Sequence, residues 1–263
     1  MTLLTLTKHH ALGNDFLVLV DLDGAHPVDA ALARALCDRH RGVGADGVVR
    51  AAAGTDGADV TMQLRNADGG EAEMSGNGIR CLSQAVVGAG VVAGPDVVVA
   101  TVVGPRRVSV HPDSAAGGAT ATVSVDMGAA KVGPDQREHW LGWRARTVDV
   151  GNPHLVVLTP DLDDVDVAVL GPRVEGDHAG GINVEFVSPE EGQLGMRVWE
   201  RGVGETLACG TGACAAAAAA HEWGLVGPDV VVHQPGGDAH VELTDTVVLS
   251  GPVHRIARVE VER

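Results

Sequence analysis

Two residues that could move a proton occupy the same kind of position in this sequence. Ser75 and Cys209 each come directly before a Gly-x-Gly that opens an apolar, helix-forming segment. Glycine lets backbone N–H groups approach a ligand, and a helix N-terminus favours negative charge. A thiol at such a position is expected to have a lowered pKa and to act as a thiolate near neutral pH. The pattern predicts a carboxylate-binding site with Ser75 and Cys209 as acid–base groups.

Such a pair could invert a stereocentre next to a carboxylate. One residue would remove the α-proton, and the other would deliver a proton to the opposite face. Backbone N–H groups at the helix starts would stabilise the negative charge that develops on the carboxylate, so no cofactor is needed as an electron sink. We therefore predict acid–base chemistry with no cofactor and no metal ion.

The segments around these two residues repeat each other. Residues 65–81 read RNADGGEAEMSGNGIRC, and residues 199–214 read WERGVGETLACGTGAC. Each is followed by an apolar helical pattern and then by GPDVVV, at 94–99 and again at 227–232. A repeat of this length indicates two homologous halves.

A second matched pair lies upstream, where LGNDFLVLV at 12–20 resembles VGNPHLVVL at 150–158. Val-rich, strand-like segments recur along the chain, whereas helical patterns are fewer, at 27–40, 76–92 and 210–223. The mixture predicts an α+β fold of two pseudosymmetric α/β domains. In each domain a mainly antiparallel sheet would wrap around a central helix, with the active site in the cleft between the domains.

The predicted domains are residues 1–117 and 118–251, joined near residues 117–118. The final strand-like segment, within 252–263, is expected to return to the first half.

Several motifs closely resemble those of the diaminopimelate epimerase family, in order and over nearly the whole chain. They are GNDF at 13–16, RNADG at 65–69, SGNGIRC at 75–81, GNPH at 151–154, ERGVGET at 200–206 and ACGTGAC at 208–214. The resemblance implies a homodimeric, pyridoxal-independent enzyme of two pseudosymmetric domains. It also implies interconversion of LL- and meso-diaminopimelate, on the bacterial route to lysine and peptidoglycan.

The resemblance carries over to individual positions. It implies that Cys209 is one of two catalytic cysteines, that His154 supports the active site, and that Glu200 contacts an ammonium group. Arg201 would pair with the distal carboxylate of the substrate as a bidentate fork. The other implied substrate-binding residues are Asn14, Asn66, Asn152 and Asn183, with Gly76, Asn77, Gly210 and Thr211 at the helix starts.

One position departs from the family pattern, because Ser75 stands where the other catalytic cysteine is expected. A hydroxyl is far less acidic than a thiol, so Ser75 is a poor base without an activating neighbour. It could still reprotonate a very basic carbanion. Cys81 cannot replace it, because it lies well inside the predicted helix, and we interpret Cys81, Cys214 and Cys37 as structural.

Two other interpretations stay open, and a third is disfavoured. The chain could be a racemase, epimerase or isomerase of the same fold that acts on another amino acid, such as hydroxyproline, and Ser75 favours this. It could also bind its substrate with impaired turnover, again because of Ser75. A dinucleotide site at Gly210, Gly212 and Ala215 is disfavoured, because the loop at 201–208 separates these glycines from the preceding strand.

Composition narrows the remaining classes. The formal net charge of −16 would repel phosphate backbones, so we expect no nucleic-acid partner. No apolar run is long enough for a membrane span. The four cysteines form no disulfide framework, which favours the reducing cytoplasm. The expected partners are a small amino-acid substrate and a second copy of the chain.

Overall fold

The computed structural model describes residues 3–72, 74–113, 118–138 and 142–262. The chain forms two compact units, of which the first contains Met1–Val125 and Gly251–Arg263 and the second contains Asp126–Ser250. The predicted join between the domains is at residues 117–118, and residue 117 lies outside the described residues.

In its described residues, the first unit contains seven strands, two helices and most of a long final strand. In chain order these are β1 (Leu3–Ala11), β2 (Asn14–Val20), α1 (Ala30–Cys37), β3 (Gly47–Ala53), β4 (Val60–Asn66), α2 (Gly76–Gly88), β5 (Asp96–Thr101), β6 (Gly104–Pro112) and β7 (Thr120–Asp126). The second unit contains β8 (Lys131–Val132), β9 (Gln136–Arg137), β10 (Arg144–Asp149), β11 (Pro153–Leu158), α3 (Val167–Gly176), β12 (Asn183–Glu190), β13 (Gln193–Glu200), β14 (Gly204–Thr206), α4 (Gly210–Glu222), β15 (Asp229–Gln234) and β16 (Gly237–Leu243). The final strand, β17 (Val247–Glu262), begins in the second unit and continues in the first.

The sheet of the first unit surrounds α2. Its strands pair in the order β17-β1-β2-β3-β4-β5-β6-β7, and β7 also pairs with β17. The pairs β2–β3 and β4–β5 are parallel, because a helix-containing connection lies between the strands of each pair. Every residue of α2 from Gly76 to Val86 is buried. Helix α1 covers the other face of the sheet, where Leu36 packs with residues of β1, β2 and β3.

The second unit has the same plan around α4. Strands β11 and β12 are parallel, as are β13 and β15, and the remaining pairs are antiparallel. Six consecutive alanines, from Ala215 to Ala220, are buried in α4. Alanine has the highest helix propensity, and its small side chain allows strands to pack closely around the helix. The predicted α+β class, with a central helix in each half, is confirmed.

A buried histidine of β1 gives the fold a predictable dependence on pH. His9 is fully buried and hydrogen-bonds Gln84 Oε1 through Nδ1, at 2.7 Å, and Thr7 Oγ1 through Nε2, at 2.8 Å. Burial lowers the pKa of His9 to about 4. His9 of the unfolded chain therefore binds a proton near pH 6.5, whereas His9 of the folded chain binds it only near pH 4. The stability of the fold falls as the pH falls from about 6.5 to about 4.

We expect the titration of His9 alone to lower the free energy of unfolding by about 2 kcal/mol between about pH 7 and about pH 5. Urea unfolding at these two pH values measures the loss. The matched variant His9→Gln keeps a polar side chain that does not titrate. Its free energy of unfolding should therefore fall by about 2 kcal/mol less than that of wild type over the same pH range. Burial and His254 also lower the pKa of His10, but this contribution is common to both proteins. An equal loss in wild type and variant would contradict the assignment to His9.

Candidate active site

Ser75 caps the start of α2. Its backbone is extended, and its hydroxyl oxygen accepts a hydrogen bond from the Gly78 N–H at 3.0 Å. A Cβ on Gly78 would lie 3.2 Å from Ser75 Oγ and 3.3 Å from Met62 Cε, so the position favours glycine. The first N–H groups of any helix lack a carbonyl partner within the helix. The start of α2 is therefore suited to bind an anion.

Two of the predicted asparagines lie together at this helix start. Asn77 Nδ2 donates to Asn14 Oδ1 at 3.2 Å, and Asn14 Nδ2 donates to the carboxylate of Asp46 at 2.7 Å. Asn66 lies at the end of β4, opposite Gly47 of β3. The first unit thus brings Asn14 and Asn77 to the helix that Ser75 caps, and it puts Asn66 at a strand end.

The start of α4 repeats this construction with a thiol. Cys209 Sγ accepts a hydrogen bond from the Gly212 N–H at 3.3 Å and lies 3.4 Å from Thr211 Oγ1. The Cys209 N–H donates to Gln234 Oε1 at 2.8 Å. A Cβ on Gly212 would lie 2.8 Å from Glu185 Oε1 and 3.1 Å from Cys209 Cβ, so only glycine fits.

The expectation that the helix start lowers the pKa of Cys209 is wrong. Burial raises this pKa well above its usual range, and the carboxylates of Glu200 and Glu185 raise it further. The hydrogen bonds from Thr211 and Gly212 lower the pKa of Cys209, but their effect is smaller than that of burial and of the two carboxylates. In the protein without substrate, Cys209 is consequently a neutral thiol near pH 7.

Glu200 accepts a hydrogen bond from Thr206 Oγ1 at 2.5 Å, and its carboxylate lies close enough to the Cys209 thiol to raise the pKa of the thiol. Burial raises the pKa of Glu200, although Thr206 and Cys209 favour its charged form. A carboxylate with a raised pKa beside a thiol can take the thiol proton, so the pair is suited to general-base chemistry.

A row of hydrogen bonds connects Cys209 with a buried acid on β12. Thr211 Oγ1 is 3.4 Å from Asn152 Nδ2, Asn152 Oδ1 is 2.9 Å from His154 Nε2, and His154 Nδ1 is 2.7 Å from Glu185 Oε1. His154 and Glu185 are both fully buried. The predicted supporting histidine thus holds the substrate-binding candidate Asn152, and it is itself held by Glu185.

Asn183 and Arg201 form a second part of this region. Asn183 Nδ2 donates to the Pro153 carbonyl at 2.9 Å, and Asn183 Oδ1 accepts from the Arg201 N–H at 3.0 Å. The stem of Arg201 passes Gly181, where an added Cβ would lie 2.9 Å from Arg201 Cδ. In the second unit the structure therefore brings all the predicted residues to the strand ends around α4.

The two helix starts differ beneath the capping residue. In the first unit, Phe16 is in register with Gly47, and in the second, His154 is in register with Asn183. Phe16 and His154 are also the last residues of the matched motifs GNDF and GNPH. An apolar ring thus occupies, in the first unit, the position that a histidine paired with Glu185 occupies in the second. The Cys209 thiol has the ionisable neighbours Glu200 and Glu185, which are suited to proton transfer.

Sequence reasoning missed Glu185, Gln234, Asp46 and Arg80. Glu185 and Arg80 carried a usable signal, because each is a charged residue inside an otherwise apolar segment that forms a buried element. Gln234 and Asp46 carried none, because their contacts arise only from tertiary packing.

Among the residues that the structure describes, no group of three His, Cys, Asp or Glu side chains could hold a metal ion. In the same part of the chain, no helix is long and apolar enough to cross a membrane.

Known proteins share both the motifs and the fold. The family described as diaminopimelate epimerase matches residues 6–133 and 146–256. The chain belongs to the diaminopimelate epimerase family. It is therefore an isomerase.

Individual relatives are similar in sequence to this chain over almost their whole length. The chain is 41% identical to the diaminopimelate epimerase of Pelotomaculum thermopropionicum, covering 95% of this chain and 96% of the relative. It is 42% identical to that of Mycobacterium ulcerans, covering 97% and 95%.

Solved structures at lower identity share the family's fold. A hydroxyproline epimerase from Agrobacterium vitis has a TM-score of 0.77 at 17% identity, covering 98% of this chain and 92% of that one. A protein of the PhzF family of phenazine biosynthesis from Bacillus anthracis has a TM-score of 0.74 at 14% identity, with both chains covered completely. The same two-unit α+β fold thus serves several chemistries.

Proposed function

We propose that the protein interconverts LL- and meso-diaminopimelate by exchanging the α-proton between two side chains, Cys209 and Ser75. The observation that carries the proposal is the matched construction of the two helix starts. Each has an acid–base side chain as its cap and a Gly-x-Gly that exposes backbone N–H groups. Family membership supplies the substrate.

Cys209 acts on one face of the α-carbon. Its thiol proton passes to Glu200, and the thiolate then removes the α-proton from the substrate. The Gly212 N–H and the Thr211 hydroxyl stabilise the thiolate, because both lie within hydrogen-bonding range of the sulfur. Binding of the substrate ammonium close to the sulfur would favour the thiolate.

Ser75 acts on the other face. The carbanion is much more basic than an alkoxide, so the hydroxyl can deliver a proton to it. Exchange with solvent water then returns a proton to Ser75 and removes one from Glu200. The reverse step is difficult, because a serine hydroxyl is a weak base near neutral pH. The resulting charge on the substrate carboxylate would be stabilised by N–H groups of Gly76, Asn77, Gly210 and Thr211.

The remaining candidates bind the rest of the substrate. Arg201 pairs with the distal carboxylate, and the amides of Asn14, Asn66, Asn152 and Asn183 provide donors and acceptors for its charged groups. His154 orients Asn152. We further propose that the enzyme acts in the cytoplasm as a homodimer, as the family resemblance implies. The four free cysteines are consistent with a reducing compartment.

Proton NMR of LL- and meso-diaminopimelate in D2O tests the function. We expect both isomers to interconvert, with deuterium entering at the α-carbon. Because a thiol is a stronger acid than a hydroxyl and Cys209 has Glu200 beside it, exchange without inversion should be faster for the isomer whose α-proton faces Cys209, by about tenfold. If neither isomer exchanges in folded protein with reduced thiols, the substrate is wrong, and hydroxyproline is the next compound to try.

A further inference from the structure

A chain of three hydrogen bonds crosses the start of α2. Arg80 Nη2 donates to Asn77 Oδ1 at 2.6 Å, Asn77 Nδ2 donates to Asn14 Oδ1 at 3.2 Å, and Asn14 Nδ2 donates to Asp46 Oδ2 at 2.7 Å. Both asparagines in the middle are substrate-binding candidates, whereas the residues at the two ends have no assigned role.

The chemistry of the two ends fixes the direction of the whole chain. A guanidinium group can only donate hydrogen bonds, and an ionised carboxylate can only accept them. If the amide of Asn77 rotated by half a turn, its NH2 would face the Arg80 donor. If the amide of Asn14 rotated, its carbonyl oxygen would face the Asp46 carboxylate. Each asparagine therefore has one favourable orientation, although an isolated amide has two of similar energy.

Both ends are anchored to the backbone of the elements around the site. Arg80 is fully buried and donates through Nε to the Gly76 carbonyl at 3.2 Å. Asp46 Oδ2 also accepts from the Asp15 N–H at 3.0 Å, and Asp46 Oδ1 pairs with Arg39 at 2.8 Å. The chain is thus fixed to α2 at one end and to β2 at the other.

We propose that Asp46 and Arg80 are positioning residues that fix the amide orientation of Asn14 and Asn77 for substrate binding. This rests on the proposed function, in which both asparagines contact the substrate. A fixed amide orientation keeps the polar atoms of Asn14 and Asn77 at constant positions for the charged groups of the substrate. A misoriented amide would place a donor against a donor or an acceptor against an acceptor. It would weaken the binding of the substrate and of the transition state equally, which raises KM more than it changes kcat.

The first experiment tests the chain without any substrate. Hydrogen exchange of the side-chain NH2 groups of Asn14 and Asn77 is followed by NMR in 15N-labelled protein. We expect Asp46→Ala to accelerate exchange at both asparagines, by about fivefold or more, because the loss of one acceptor releases the whole chain. Asp46→Asn should restore slow exchange, because an amide oxygen can still accept from Asn14. Arg39→Gln removes the ion pairs of Arg39 with Asp46 and Asp15 but leaves the chain of hydrogen bonds in place, and should leave both signals unchanged.

The second experiment tests the consequence for catalysis. With diaminopimelate, we expect Asp46→Ala to raise KM about tenfold and to change kcat by less than about threefold, with Asp46→Asn and Arg39→Gln close to wild type. Fast exchange confined to Asn14 in Asp46→Ala would overturn the coupled chain. A normal KM alongside fast exchange at both asparagines would overturn the positioning role. An inactive wild type would refute the proposed function, while the exchange measurement would still decide whether the chain exists.

Discussion

Replacing Cys209 by serine is expected to lower kcat/KM for epimerisation by about a thousandfold or more, because it removes the only thiol at either helix start. Serine keeps the hydrogen bond to the Gly212 N–H that caps α4, just as Ser75 caps α2. A lost cap would cost about 1 kcal/mol of stability, and the serine variant avoids this cost. The loss of rate therefore reports on chemistry and not on folding.

Cys214→Ala provides the matched control for this variant. Cys214 lies about one turn further along α4 and is fully buried. We expect its variant to keep kcat/KM within about threefold of wild type, because Cys214 is not a candidate acid–base group. Steady-state rates with both diaminopimelate isomers, and urea unfolding of all three proteins, make the comparison. Substantial epimerisation by folded Cys209→Ser would refute the assignment of Cys209 as an acid–base group.

The local parts of this site could be predicted from the sequence, and the long-range parts could not. Ser75 and Cys209 were predictable as helix caps, because an N-cap and its Gly-x-Gly lie within four residues of each other. The pairing of His154 with Glu185 depends on the parallel register of β11 with β12, which are joined through α3. No pattern within either strand specifies which residues of its neighbour it will face.

The pKa of Cys209 could not be predicted from the sequence, because it also depends on long-range packing. The expectation of a lowered pKa took only the helix start into account. In the folded protein the thiol is also buried beside Glu200 and Glu185, which come from two other strands, and their effect is larger. The substrate must therefore help to activate the thiol. A resting thiol that ionises only with substrate bound is also protected from oxidation.

We expect the difference between Ser75 and Cys209 at the two helix starts to limit the overall rate. Stereoisomers that differ at one centre have similar free energies, so the equilibrium constant of epimerisation is close to unity. The ratio of kcat/KM in the two directions must equal this constant. A weak base at position 75 consequently slows both directions equally, although it leaves proton exchange at the Cys209 face fast.

Ser75→Cys should therefore accelerate epimerisation in both directions by the same factor, on the order of ten- to a hundredfold. A thiol is a much stronger acid than a hydroxyl, so its thiolate is available to remove the α-proton from the face that Ser75 serves. Exchange without inversion at the Cys209 face should change by less than about threefold, because that half of the reaction is untouched. Both rates can be read from one NMR time course in D2O, with the variant kept in a thiol reductant.

Ser75→Ala completes the test, because it removes the hydroxyl without adding a thiol. We expect this variant to keep exchange at the Cys209 face and to lose inversion, by about a hundredfold relative to wild type. If inversion survived in Ser75→Ala at the wild-type rate, water and not the serine hydroxyl would be the second proton donor. If Ser75→Cys left inversion unchanged as well, proton transfer at position 75 would not limit the rate. A slower step common to both faces, such as substrate binding or product release, would then control turnover.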